Sequence, residues 1–311
     1  MRLLRVAAST VGTAALLGAL LALVLHFWPG ADQVTVVAAA VSPVLWLACT
    51  AIAVVCLLYV RAPRRLLLAA ALAAAGTWVQ SPLWRGEPAP TGQTLTVLTA
   101  NIQVGAGDVE ALAKLVRDNG VDVLSVLEVT DEAAQRISAS TIAIDLPHAL
   151  VRPAALANGT ALYSRHPLKN TGAVPGFVMT TLTAVADVPG RGDVQLFALH
   201  PMPPLDIDTW DSELGRIRAV LQGVPEGRPV IALGDYNATY DHVRFRNLLT
   251  GGYRDAGQLA GAGWLPTYPT DKTYPPVVGI DHILLRGLGT VGVTAHEIPG
   301  ADHRALLARV G

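Results

Sequence analysis

Asp235 and Asn237 stand two residues apart in Ile231-Ala-Leu-Gly-Asp-Tyr-Asn237, where a short apolar run ends at a glycine. Alternate side chains of an extended strand point the same way, so this carboxylate and amide can face one centre together. Gly-Asp-x-Asn also describes an ordinary turn; the case for chemistry comes from its company. Asn101, Glu128, His200 and the pair Asp302-His303 each stand at or just after the end of another apolar run. Solvated loop tips favour Lys, Ser and Gly, so five endings in acid, amide or imidazole are hard to obtain by accident. Strand ends gathered on one sheet edge make a rigid site whose loops are free to vary.

Three carboxylates (Glu128, Asp235, Asp302) and two amides (Asn101, Asn237) form an all-oxygen donor set. Such a set suits a hard divalent cation, Mg²⁺ or Mn²⁺, whereas zinc or iron would call for more imidazole. Mg²⁺ keeps much of its water and binds through one or two carboxylates plus phosphate oxygens, so a phosphate ester is the expected substrate. His200 and His303 can act as general base or as hydrogen-bonding acid to a phosphoryl oxygen. A free carboxylate such as Asp281 can orient His303 by accepting its other N–H. The expected reaction is in-line attack of water on phosphorus, with charge on the equatorial oxygens stabilised by cation and amide donors.

The elements that position these residues follow from periodicity. Leu95–Thr99, Val121–Leu127, Thr160–Ser164, Val194–Leu199, Val230–Leu233 and Ile280–Leu285 read as strands. Val109–Arg117 has helical spacing with Asp108 as N-cap and Gly120 as stop; Thr209–Leu221 and His242–Leu249 are the other helices expected. His282 follows Asp281 directly, points to the opposite strand face, and reads as packed. His148, His166, His242 and His296 carry no motif and read as surface or capping residues. Arg152, Arg165 and Arg304 fit phosphate binding and a structural role equally. Tyr268, in a proline-rich loop, is placed to line the cleft.

Composition divides the 311 residues sharply, at 51% hydrophobic and 15% charged overall. Residues 1–94 hold six arginines and two acids, and the remainder holds 17 basic and 22 acidic side chains, a net of −5. Residues 6–28 and 34–60 are long uncharged apolar runs, and 66–84 is a third, interrupted by Gln80 and Pro82. About 20 apolar residues cross a bilayer as helix, so residues 1–86 read as a membrane anchor of three spans. Arg2 and Arg5 before the first run, and Arg61, Arg64 and Arg65 before the third, put the N-terminus in the cytoplasm and everything after Arg85 outside. A cleaved signal peptide is the rival reading of the first run, although that run exceeds a usual signal core and two more follow. Residues 87–93 read as a short semi-rigid linker and 94–311 as the catalytic domain. Both cysteines lie in the apolar part, so none cross-links that domain.

Taken together, Thr99-Ala-Asn101, Leu127-Glu128, Gly159-Thr-Ala-Leu-Tyr-Ser-Arg165, Leu199-His200, Gly234-Asp-Tyr-Asn237, Ile280-Asp-His-Ile283 and Asp302-His303-Arg304 resemble the ordered motifs of the endonuclease/exonuclease/phosphatase superfamily. The resemblance runs from about Thr94 to Val310. It implies a four-layer α/β sandwich, two mixed β-sheets face to face with helices outside, and dependence on Mg²⁺. It also implies that Asn101 and Glu128 bind the metal and Asp302 completes that site. Asp235 and Asn237 would handle nucleophile and phosphate, and His303 would bond the phosphate while paired with Asp281. His200 resembles the histidine of the nuclease and sphingomyelinase branches. Two positions depart from the pattern: Glu128 follows leucine where glutamine is commoner, and Ala301 replaces the usual serine. The expected activity is that of a membrane-anchored phosphoesterase on the extracytoplasmic side, taking a lipid, nucleotide or nucleic-acid phosphoester beside the lipid bilayer. A nuclease acting on extracellular DNA or RNA is the alternative, disfavoured by the net charge and by only three lysines. A membrane protein keeping only the fold would show a broken site residue, and none is broken.

Overall fold

The computed structural model describes all 311 residues as two compact units. One comprises Met1–Pro82 with Tyr240–Val243, the other Leu83–Thr239 with Arg244–Gly311.

The first unit is helical: α1 (Arg2–Phe27), α2 (Gln33–Ala40), α3 (Ser42–Val60) and α4 (Pro63–Gln80). The run expected to be one helix over 34–60 is broken at Val41, because Pro43 near the start of α3 lacks an N–H and would clash with the preceding turn. Asp32 caps α2 by accepting from Thr35 N (2.9 Å). α1, α3 and α4 pack closely where small residues allow it. A Cβ on Gly76 would fall 1.9 Å from the Trp46 ring, and one on Gly18 2.8 Å from Cys49 Sγ. Trp46 Nε1 donates to Leu72 O (3.0 Å), and Arg65 reaches Ser9 and Thr13. α1 and α3 are long and apolar enough to cross a membrane. α4 is less apolar, since two arginines and many alanines dilute it. Tyr240–Val243 groups with these helices through polar contacts. Gln80 Nε2 donates to Asp241 Oδ1 (2.7 Å), His26 Nδ1 lies 2.7 Å from that same oxygen, and His242 Nε2 donates to Val36 O (2.9 Å). His242, expected at the surface, is therefore buried.

The second unit begins within α5 (Pro82–Arg85), at Leu83, and holds two mixed six-stranded sheets. The first contains β1 (Leu95–Asn101), β2 (Val123–Leu127), β3 (His148–Arg152), β4 (Thr160–Ser164), β11 (Thr290–Glu297) and β12 (Arg304–Val310), in the order β11-β12-β1-β2-β4-β3. The second runs β5-β6-β7-β8-β10-β9, from β5 (Leu168–Val174), β6 (Thr181–Val188), β7 (Gly192–Leu199), β8 (Val230–Asp235), β9 (Arg254–Asp255) and β10 (Asp281–Arg286). The flanking helices are α6 (Val109–Asp118), α7 (Asp131–Ala139), α8 (Ile142–Asp145), α9 (Ile207–Gln222), α10 (Val243–Arg246) and α11 (Ala256–Ala260). The expected α/β sandwich of two mixed sheets with helices outside is what forms.

Strand alternation explains the layers. In β1, Leu95 and Val97 join Leu196, Ile231, Leu233 and Ile283 in the core between the sheets. Leu98 and Ala100 face the other way and pack with Leu112 and Val116 of α6 and Ile137 of α7. Each such buried aliphatic side chain contributes about 1.5–3 kcal/mol. α9 buries Trp210, Leu214, Ile217 and Leu221, a stripe at helical spacing. The residues 87–93 lie along the domain rather than hanging free: Glu87 N donates to Leu259 O (2.8 Å) and Arg191 to Gln93 O (2.9 Å).

Candidate active site

Register brings the site together. β1 and β2 run parallel with Asn101 opposite Leu127, which sets Glu128 just past the same end. β7 and β8 run parallel with Leu199 opposite Gly234, which sets His200 beside Asp235. β10 runs antiparallel to β8 with Asp281 opposite Asp235. Asp302 and His303 immediately precede β12, which is antiparallel to β1. Carboxyl ends of β1, β2, β7 and β8 and amino ends of β10 and β12 therefore meet at one edge, and all eight expected residues come with them.

Asp235 Oδ2 is the hub. It lies 3.7 Å from His200 Nε2, 3.7 Å from His303 Nε2 and 3.3 Å from Asn101 Nδ2, which donates to it. Asp235 Oδ1 accepts from Asn237 N (2.8 Å), and the Asn237 side chain donates to Pro201 O (3.0 Å). His303 Nδ1 is 2.8 Å from Asp281 Oδ2, the orienting contact expected for that pair. Asn101 Nδ2 also donates to Glu128 Oε1 (2.9 Å), while its Oδ1 accepts from Gln103 N (3.0 Å). In this arrangement Asn101 orders two carboxylates through its nitrogen, and its oxygen is already engaged.

The backbone is strained where it delivers these groups. Glu128, Gln103 and Val104 hold φ of 62°, 47° and 49°, and a branched residue such as valine rarely adopts that region. Val104 N donates to Glu128 Oε2 (2.7 Å), so the strained turn grips the carboxylate. Asn237 (φ 48°) tolerates the left-handed region more readily. Gly234 is required by close approach: a Cβ there would meet Leu199 O at 1.9 Å.

Burial and charge separate the two histidines. Burial drives His200 down to about 4, against the opposing pull of Glu128, so its ring is neutral near pH 7. Burial also disfavours charge on His303, but the carboxylates of Asp281, Asp235 and Asp302 outweigh it and raise it to about 10. Asp235 is raised to about 7 by burial and by Asp281, with His303 opposing. Asp302 is raised as well, by burial first and then by Glu128. The two histidines at this one sheet edge thus hold opposed protonation states near pH 7.

The donor chemistry fits a divalent cation. Four carboxylates converge on the edge, and the pKa values of Asp235 and Asp302 are both raised, as burial and crowded negative charge require and as a bound cation would relieve. Asp235, Asp281 and His303 form a group of possible ligands whose donor atoms lie within 4.8 Å of one another. Two of the three, His303 and Asp281, are already paired by a hydrogen bond. Glu128 and Asp302 are the carboxylates left open toward solvent, with side chains 15% and 22% exposed.

Other residues settle into support. His282 is packed, Nδ1 2.9 Å from Asp255 and Nε2 donating to Ala238 O, with its ring against Phe245. The Tyr268 ring lies 4.8 Å from the His303 ring, tilted by 44° to it. Arg165 pairs with Asp122 and Arg304 with Glu297, so both are tied to the framework. Thr267 was not legible as a site residue. Its buried hydroxyl accepts from Ile280 N and its carbonyl from Arg304 N, joining the starts of β10 and β12. The Thr-Tyr step before a proline was the available signal.

The profile of the endonuclease/exonuclease/phosphatase family matches residues 98–303, and the chain belongs to that family. It is accordingly a hydrolase of phosphoester bonds, in a family of phosphodiesterases, nucleases and phosphatases that generally depends on a divalent metal. Among solved structures, it is similar in fold to an endonuclease/exonuclease/phosphatase from Beutenbergia cavernae (TM-score 0.58, 21% identity, 70% of this chain and 72% of that one). Truncated TDP2 from Caenorhabditis elegans aligns at TM-score 0.60 and 19% identity over 71% of this chain and 98% of that one. Sphingomyelinase C from Streptomyces griseocarneus aligns at 0.52 and 15% over 70% and 99%. No curated protein matches the sequence.

Proposed function

We propose that this protein is a membrane-anchored, Mg²⁺-dependent phosphodiesterase that hydrolyses its substrate by in-line attack of water. The observation that carries the reading is Asp235 Oδ2, set 3.7 Å from both a neutral His200 and a charged His303. Asp235, lifted to about 7, is matched to accept a proton from the attacking water. His303, held protonated by Asp281, donates a hydrogen bond to a phosphoryl oxygen, and Asn237 and His200 hold the phosphate and the base in place. Glu128, ordered through Asn101, together with Asp302 would hold Mg²⁺, or Mn²⁺ in its stead, and the ion would supply neutralisation of charge on the phosphoryl oxygens. Mg²⁺ is favoured over softer metals by the carboxylate donors.

Two exposed apolar side chains bear on the class of phosphoester. Val104 and Leu205 are large apolar side chains left exposed a few residues after Asn101 and His200. With a domain net charge of −5, they support an amphipathic, lipid-like phosphodiester over a polyanion. The zebrafish TDP2 relative crystallised with a single-strand DNA product makes nucleic acid the competing substrate. The test is hydrolysis of bis-p-nitrophenyl phosphate by the full chain in detergent. Activity is expected with Mg²⁺ and lost with EDTA. A loss of about 10²–10⁴-fold is expected in Asp235→Ala and His303→Ala; undiminished activity of the double variant would sink the assignment. A panel of sphingomyelin, inositol phosphates, plasmid DNA and RNA then ranks the substrates.

The apolar helices serve as the anchor, with α4 as a third span. Its 18 residues reach about 27 Å, near the hydrocarbon thickness, and Leu67, Leu68 and Trp78 leave an apolar outer face. Three spans from a cytoplasmic N-terminus place the catalytic domain outside the cell, and its accessibility to added protease decides the matter.

A further inference from the structure

α9 carries two buried polar side chains that the reaction scheme does not use. Glu213 is 3% exposed and has no cationic partner, an unfavourable setting for a carboxylate unless its oxygens are fully bonded. They are: Oε1 accepts from Val178 N and Oε2 from Met202 N, both at 2.6 Å. One turn earlier, Trp210 Nε1 donates to Asn237 O (3.0 Å), and Asn237 Nδ2 donates to Pro201 O (3.0 Å).

The segment so held is unusual in composition. It reads His200-Pro-Met-Pro-Pro-Leu205, and proline has no N–H, so Met202 offers the one backbone donor between His200 and Leu205. Glu213 takes that donor. His200 needs such support because its own ring has none of comparable strength. Its Nδ1 is buried without a well-formed hydrogen bond, Ala157 giving only a weak backbone contact. Its Nε2 reaches Glu128 and Asp235 at 3.9 and 3.7 Å, beyond hydrogen-bond distance. The ring's aim is therefore set by the backbone that follows it.

We propose that Glu213, assisted by Trp210, is the positioning residue for His200, fixing Pro201–Met202 so that Nε2 stays between Glu128 and Asp235. The consequence for turnover rests on the phosphodiesterase reading; the positioning itself does not. The experiment uses the full chain in detergent with ¹⁵N-labelled histidine, the His200 ring signals being identified by their loss in His200→Gln. Glu213→Gln keeps the shape but offers only one acceptor for two N–H groups. It is expected to move or broaden the His200 signals while those of His148 and His296, on edge strands, stay in place. The kcat on bis-p-nitrophenyl phosphate should fall about tenfold, the loss of one charge-assisted hydrogen bond, with KM within about twofold. Added to His200→Gln, the same change should cost nothing further. Unmoved His200 signals, or fully additive losses, would overturn the proposal. If wild type hydrolyses nothing, the catalytic reading fails while the ring signals still decide the positioning. If Glu213→Gln does not fold, Trp210→Phe replaces it, and unmoved His200 signals there overturn the proposal equally.

Discussion

Asp235 is placed where its own ionisation works against folding. Burial and Asp281 lift it from 3.8 to about 7, and three carboxylates lift His303 from 6.5 to about 10 against burial. Both groups bind protons in the folded chain that the unfolded chain has released. Their stabilisation is thus complete below the unfolded values and lost as pH rises through the folded ones. For Asp235 the window is pH 3.8 to about 7, and for His303 pH 6.5 to about 10. Asp235→Asn removes the carboxylate and keeps its shape. In EDTA at about pH 8 it should melt roughly 5 °C above wild type while losing activity, and the gain should shrink at about pH 5. A lower Tm at pH 8 would show that the carboxylate is stabilising in place. The residue types of the site were legible in the sequence because each follows an apolar run. What was hidden was direction, since an amide's two faces are chemically unlike and only neighbours decide which is used. Asn101 turns its nitrogen to the acids because Gln103 N holds its oxygen.

Strands with both faces buried announce themselves as apolar runs, and all of those expected are present. The strands passed over include all four sheet edges, β3, β5, β9 and β11, which are short or half solvated. The helix expected over His242–Leu249 shrinks to α10, four residues long, because Asp241 and His242 turn to partners elsewhere. At this scale Gly234 is the decisive position, since β7 and β8 approach too closely there for any side chain. Gly234→Ala is expected to cost more than about 3 kcal/mol in urea unfolding, as an overpacked buried backbone contact. Gly172→Ala on edge strand β5, where nothing lies within 4 Å, should be near neutral. Equal costs at the two positions would mean that strand spacing adjusts freely.

For the whole molecule, the proposed orientation rests on where the arginines lie. Added protease should digest the catalytic domain on intact cells and spare α1, α3 and α4. Full protection would mean that α4 does not cross and that the active site faces the cytoplasm. The chain order nevertheless misleads about the extent of the helical unit. Six residues after Asp235, Asp241 is engaged with His26 and Gln80, and His242 with the carbonyl of Val36. The helical unit is therefore discontinuous, its last piece supplied from within the catalytic sequence. A graft that exchanged the first 82 residues for other helices would leave a carboxylate and an imidazole without the groups that bond them. The transferable module is a helical bundle together with a four-residue insert, and only the two moved together would keep both ends of that bond satisfied.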